Sequence, residues 1–176
     1  MKKRFLIVVD MQNDFITGSL GSDEAKKIVP NVIKEIENFD GEIIATLDTH
    51  DEDYLKSLEG KNLPVQHCIR DTDGWQIEEN TKKALEKRGY TSLTKPTFGS
   101  VSLVEILKKE FALASGIEIE LIGVCTDICV VSNALLLKAH FPEAKISVNS
   151  SCCAGVTPAK HETALETMRS CQINVK

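Results

Sequence analysis

The chain of 176 residues is long enough for one domain with a sizeable core and too short for two ordinary ones. A hydrophobic share of 42% and a charged share of 27% are those of a globular protein, and no apolar run reaches the roughly 18–20 residues of a membrane helix. The net charge of −5, with basic residues set among acidic ones as in "IKEIEN" and "KKALEKR", excludes nucleic acid as an expected partner.

After the basic start, "RFLIVVD" (4–10) is a continuous apolar run of the kind buried on both faces of a parallel sheet, and it is read as the first strand. Its apolar part is too short for a signal peptide and ends without a small-residue cleavage site, so a cytoplasmic protein is expected. "DEAKKIVPNVIKEIENF" (23–39) predicts a helix with Ile28, Val29, Val32, Ile33 and Ile36 inward, its main part started or bent by Pro30. "EIIATLDTH" (42–50) is a second strand, followed by a long irregular stretch over 49–75, a length that in compact domains usually carries function. "IEENTKKALEKRG" (77–89) is a helix stopped by Gly89, with basic residues in its last turn. "YTSLTK" (90–95) is a third strand, and "SVSLVEILKKEF" (100–111) a helix capped by Ser100 or Ser102.

"IEIELIGV" (117–124) is a fourth strand, and "DICVVSNALLLKAH" (127–140) a helix nearly apolar all round, hence central. "AKISVNS" (144–150), the Thr157-Pro158-led helix "TPAKHETALETMRSC" (157–171) and "INV" (173–175) close the chain. Six strands joined by helical crossovers predict an α/β fold: a doubly wound, six-stranded parallel sheet with helices on both faces. No repeat or linker interrupts it, so residues 1–176 are expected to form a single domain.

In an open parallel sheet, ligands bind outside the carboxyl ends of the strands. Four of the predicted strands deliver ionisable or nucleophilic residues to that edge: Asp10, then Asp48 and His50, then Lys95, then Cys125 and Cys129. A lone strand-end Asp is as often a helix cap as anything else; the coincidence of all four is harder to assign to structure. Asp127 as N-cap would put Cys129 in the first turn of the following helix, where unpaired N–H groups and the dipole favour a thiolate. Cys129 is therefore the better nucleophile, and the N–H groups of Cys125 and Cys129 form a candidate oxyanion hole. The six cysteines include no C-x-x-C pair, and no disulfide framework is expected; Cys152, Cys153 and Cys171 are read as packing residues, and Cys68 has no assigned role. Asp48 and His50, alternate residues at a strand end, share a face, and His67 follows from the long loop. A carboxylate and two imidazoles suit Zn²⁺, Fe²⁺ or Mn²⁺ with positions left open.

The segments "VVDMQNDF" (8–15), "KPTFGS" (95–100) and "GVCTDICV" (123–130) resemble the three signatures of the isochorismatase-like cysteine hydrolases. "TLDTHDED" (46–53) followed by "LPVQHCIRDTDGW" (63–75) resembles the nicotinamidase/pyrazinamidase branch, and the likeness runs essentially through the whole chain. The resemblance implies the isochorismatase-like hydrolase fold, a catalytic triad of Asp10, Lys95 and Cys129, and a cis peptide bond between Val124 and Cys125 that aims the Cys125 N–H at an oxyanion. It implies one divalent metal, Zn²⁺ first among the three, held by Asp48, His50 and His67, with Glu59 in "SLEGK" at a position where some members place a fourth ligand. Phe15 matches an aromatic position flanking the substrate ring, while Pro64 stands where some nicotinamidases carry Trp. Trp75, the only Trp, either lines the pocket or anchors the core.

The implied reaction is hydrolysis of nicotinamide to nicotinate and ammonia through a Cys129 thioester, with a small-molecule amide as the partner and a homo-oligomer left open. Two alternatives stand beside it: an amidase acting on a carbamoyl or ureido compound, and a non-catalytic metal or thiol sensor, which has no need of Asp10 and Lys95.

Overall fold

Alternate side chains of a strand point to opposite faces, so the apolar run in β1 (Lys3–Val9) feeds two cores at once. Phe5, Ile7 and Val9 pack with Leu103, Leu107, Ala134, Leu137 and Met168; Leu6 and Val8 pack with Ile28, Val32, Ile36 and Leu85. The structure, a computed structural model, describes residues 3–112 and 116–176. The other strands are β2 (Glu42–Asp48), β3 (Thr91–Lys95), β4 (Ile117–Val124), β5 (Lys145–Ala154) and β6 (Asn174–Val175). All pair in parallel, in the order β3-β2-β1-β4-β5-β6.

Among the described residues, seven α-helices accompany them: α1 (Asn13–Ile16), α2 (Asp23–Asn38), α3 (Leu58–Asn62), α4 (Glu79–Arg88), α5 (Val101–Phe111), α6 (Val131–His140) and α7 (Pro158–Ser170). The apolar stripes of α2 and α4 cover one face of the sheet, and those of α5, α6 and α7 the other. This is the doubly wound α/β architecture expected, and the winding reverses between β1 and β4, the point at whose carboxyl ends ligands of such sheets bind. No helix among the described residues is long and apolar enough to cross a membrane.

Several local expectations need correction. The stretch 49–75 is not irregular throughout: Tyr54–Lys56 forms a 3₁₀ turn and α3 follows, its first turn capped by the Ser57 hydroxyl, which accepts from Gly60 N at 2.9 Å. Pro30 does not start the main part of α2, which runs from Asp23 through it; it sits on the exposed side, where water can take the carbonyl it leaves unpaired, and Val29 and Ile33 are only partly buried. Helix α6 is less central than its composition suggests, since Leu135 and Leu136 are half-buried at the outer side of the core. Asp127 is not an N-cap. The chain leaves β4 through a π-helical turn at Thr126–Val130, and the Asp127 carboxylate instead accepts from Val156 N at 2.9 Å. Cys171 does not pack; it is exposed at the end of α7, whereas Cys68, Cys152 and Cys153 are buried free thiols.

Gly123 shows how tightly β4 approaches β1. It has φ of +114°, and a Cβ there would lie 2.1 Å from the Val9 carbonyl oxygen, so no larger residue fits.

Candidate active site

Strand register brings the first group of residues together. Lys95 ends β3 directly opposite Asp48, the end of β2, while Val9 pairs with Thr46 on one side and Gly123 on the other. Asp10 then leaves the β1 ladder with a left-handed φ of 48°, a conformation Asp tolerates better than branched residues do. Its N–H donates to Thr46 O at 3.1 Å, and its Oδ1 accepts from Thr46 Oγ1 at 2.7 Å. Lys95 Nζ lies 2.6 Å from Asp10 Oδ2, 3.3 Å from Asp48 Oδ1 and 3.4 Å from Cys129 Sγ. The three triad candidates thus converge around one ammonium, with Asp10, Lys95 and Cys129 only 0%, 1% and 4% exposed. A site this dry strengthens every charge interaction inside it.

Burial works against a charged Lys95, but Asp10, the Cys129 sulfur and Asp48 outweigh it and keep the ammonium protonated well above the usual lysine range. Burial pushes the Asp10 carboxyl up, and the Lys95 ammonium only partly pulls it back. The Cys129 thiol is raised well above its ordinary value, first by burial and then by the facing Asp10 carboxylate, with Lys95 opposing. This burial disfavours the charged sulfur and so opposes the thiolate that the sequence reading expects at a helix start. Cys125 is likewise pushed up to about 12 by burial and by Asp127. The Val124–Cys125 peptide bond is cis.

A second cluster adjoins the first through Lys95. Asp48 Oδ2 lies 3.0 Å from His50 Nε2 and 3.5 Å from His67 Nε2, and Glu59 Oε1 lies 3.7 and 3.8 Å from the same two nitrogens. Tetrahedral ligands at about 2.0–2.1 Å from a zinc ion stand about 3.3–3.4 Å from one another, so these separations fit such a cation. His67 Nδ1 is 2.8 Å from Val65 O, an arrangement that leaves Nε2 facing Asp48 and Glu59. Burial alone would raise the Asp48 carboxyl, but hydrogen bonds from His50 and His67 and the Lys95 charge hold it below the usual carboxylate range, anionic as a ligand must be. Asp48, His50 and His67 form a group able to hold a metal ion; Glu59, partly exposed on α3, closes its outer side.

Phe15, on α1, packs its ring against His67 with centroids 5.6 Å apart. Trp75 leans on the apolar cluster beneath α2, and its indole N–H donates to Thr49 Oγ1 at 2.8 Å, the contacts of an anchor.

Reading by sequence missed three further residues. Tyr54 is buried with its ring 4.7 and 4.9 Å from those of His50 and His67. Thr46 escaped although its place two residues before Asp48, on the same strand face, was a usable signal. Gln12, fully buried, uses its side-chain amide as a strand would: Nε2 donates to Asp48 O and to Trp75 O, both at 2.9 Å, and Oε1 accepts from Asp48 N at 2.7 Å.

The model of the isochorismatase domain matches residues 4–175. The chain belongs to the isochorismatase family. Among solved structures, this isochorismatase-family hydrolase is similar to nicotinamidase PncA from Bacillus subtilis, at 24% identity over 98% of both chains with a TM-score of 0.85. It is also similar to the pyrazinamidase of Pyrococcus horikoshii in complex with zinc, at 27% identity over 99% of this chain and 98% of the other, TM-score 0.79. A third relative is N-carbamoylsarcosine amidase from Thermoplasma acidophilum, at 25% identity over 99% of this chain and 95% of the other, TM-score 0.77.

Proposed function

We propose that the protein is a metal-containing cysteine amidohydrolase that converts nicotinamide and water to nicotinate and ammonia. The observation that carries this reading is Lys95, whose single ammonium touches Asp10, Cys129 and Asp48 and so joins a nucleophile–base pair to a metal-ligand cluster.

Asp10 takes the thiol proton as the Cys129 sulfur attacks the carboxamide carbon, and the carbonyl pair moves onto oxygen. The N–H groups of Cys125 and Cys129 face that oxyanion, and one such donor is typically worth about 100- to 1000-fold in rate. Protonated Asp10 passes its proton to the amide nitrogen; the C–N bond breaks and ammonia leaves a thioester. Asp10 then deprotonates a water that attacks the thioester, and the expelled sulfur is reprotonated. Lys95 holds Asp10 in place and offsets negative charge through both halves. Asp48, His50, His67 and Glu59 would hold a divalent ion, with zinc as first choice, which would supply a Lewis acid beside the reacting carboxamide.

The charge pattern favours a neutral amide over a ureido acid. Lys95 is engaged by two carboxylates. A substrate carrying its own carboxylate finds repulsion there, whereas nicotinamide does not.

The test is ammonia release from nicotinamide by the wild type, by Cys129→Ala, and by the wild type after chelation. Turnover lost in both treatments with the fold retained supports the reading. Substantial turnover by Cys129→Ala removes the nucleophile assignment. Turnover only of a carbamoyl compound selects the alternative amidase, and none with either amide selects the sensor.

A further inference from the structure

The turn that carries Cys125 and Cys129 is held from behind by groups outside the catalytic machinery. Thr126, immediately after Cys125, is fully buried, and its hydroxyl finds a partner in His161 of α7, with Oγ1 and Nδ1 2.8 Å apart. The next residue, Asp127, accepts from Val156 N at 2.9 Å, in the segment leading to the same helix. Between these two ties, the backbone passes so close to Gly155 that a Cβ there would lie 2.9 Å from both Asp127 Oδ1 and His161 N. Helix α7 is a firm support: Thr157 caps it through Lys160 N, and Leu165 and Met168 are buried in the core. A buried hydroxyl left without a partner costs free energy, so the Thr126–His161 contact resists displacement.

We propose that His161 is a positioning residue for the oxyanion donors, fixing the Cys125–Cys129 turn through the Thr126 hydroxyl. The inference rests on the reading of the Cys125 and Cys129 N–H groups as those donors. Preorganised donors act only when aimed at the place where charge develops, so a loosened turn weakens transition-state binding more than ground-state binding. The carboxamide ring would be held by the opposite side of the site, and KM is then insensitive to this tie.

The experiment compares wild type, His161→Leu, His161→Asn and Thr126→Val for kcat and KM with nicotinamide, thermal midpoint, and affinity for pyridine-3-carbaldehyde. That aldehyde forms a C–S bond with Cys129; its carbonyl pair moves to the oxygen, which takes the thiol proton and occupies the oxyanion position. His161→Leu and Thr126→Val should each lower kcat roughly tenfold, part of the loss expected for removing one donor outright, and weaken aldehyde binding by a similar factor at unchanged KM. His161→Asn, which keeps an acceptor near the place of Nδ1, should restore both. Unchanged kcat and aldehyde affinity in His161→Leu overturn the proposal whatever happens to the thermal midpoint, as does a loss that Asn fails to restore. Should the leucine variant not fold, Thr126→Val with Thr126→Ser as its rescue decides in the same way. Failure of the underlying reading is distinguishable: the wild type itself would then neither turn over nicotinamide nor bind the aldehyde tightly.

Discussion

Gln12→Leu is a near-isosteric change that removes all three side-chain hydrogen bonds tying the end of β2 to the loop at Trp75. Two of the abandoned groups, Asp48 N and Asp48 O, are buried, while the Trp75 carbonyl is partly exposed and can find water. A buried polar group stripped of its partner costs about 1–3 kcal/mol, so the loss for two should total about 2–6 kcal/mol. That is a large share of the roughly 5–15 kcal/mol that holds a typical domain folded. Urea unfolding of metal-free protein, analysed at a common slope, measures it directly. Gln12→Glu should be worse still at neutral pH, because it keeps the acceptor, loses both donors and sets a carboxylate beside Asp48. A loss below about 1 kcal/mol for the leucine variant would refute the reasoning, since it would mean that relaxation or water replaces those bonds freely.

The other expectations concern chemistry, metal and capping. Thr46→Val removes the donor that lowers the Asp10 carboxyl, so the acid limb of the kcat/KM profile should move to higher pH; no movement, or movement downward, argues against Asp10 as the base. Zinc at about 100 times its Kd should raise the unfolding free energy of the chelated protein by about 2.7 kcal/mol, and His67→Ala should abolish most of that shift in a calorimetric scan. Glu78 caps α4 by accepting from Asn80 N and Thr81 N at 3.1 and 2.8 Å, and Glu78→Ala should cost about 1 kcal/mol at neutral pH. Burial would raise the Glu78 carboxyl, but those hydrogen bonds lower it below 4.5, so its contribution is complete above that value and disappears as pH falls through the depressed one. The variant and the wild type should therefore converge in acid; a gap independent of pH would point to packing as the cause.

What the chain order alone determined follows from local periodicity. The residues of β1 and β4 alternate between two cores, the helices repeat their apolar positions every third or fourth residue, and β4 runs over the same span that its apolar pattern marks. Because strand ends in such a sheet share one edge, Asp10, Asp48, Lys95 and Cys129 were legible as neighbours before any distance was known. Tertiary structure alone decided how deeply the Cys129 sulfur is buried, since desolvation depends on what surrounds it and not on where it falls in a helix. It also decided the partners of Gln12 and His161 and the place of Tyr54, whose contacts reach across long stretches of chain and leave no periodic trace. Patterns of two and 3.6 record which side of an element is buried; they carry nothing about which distant polar group waits on the other side of the core.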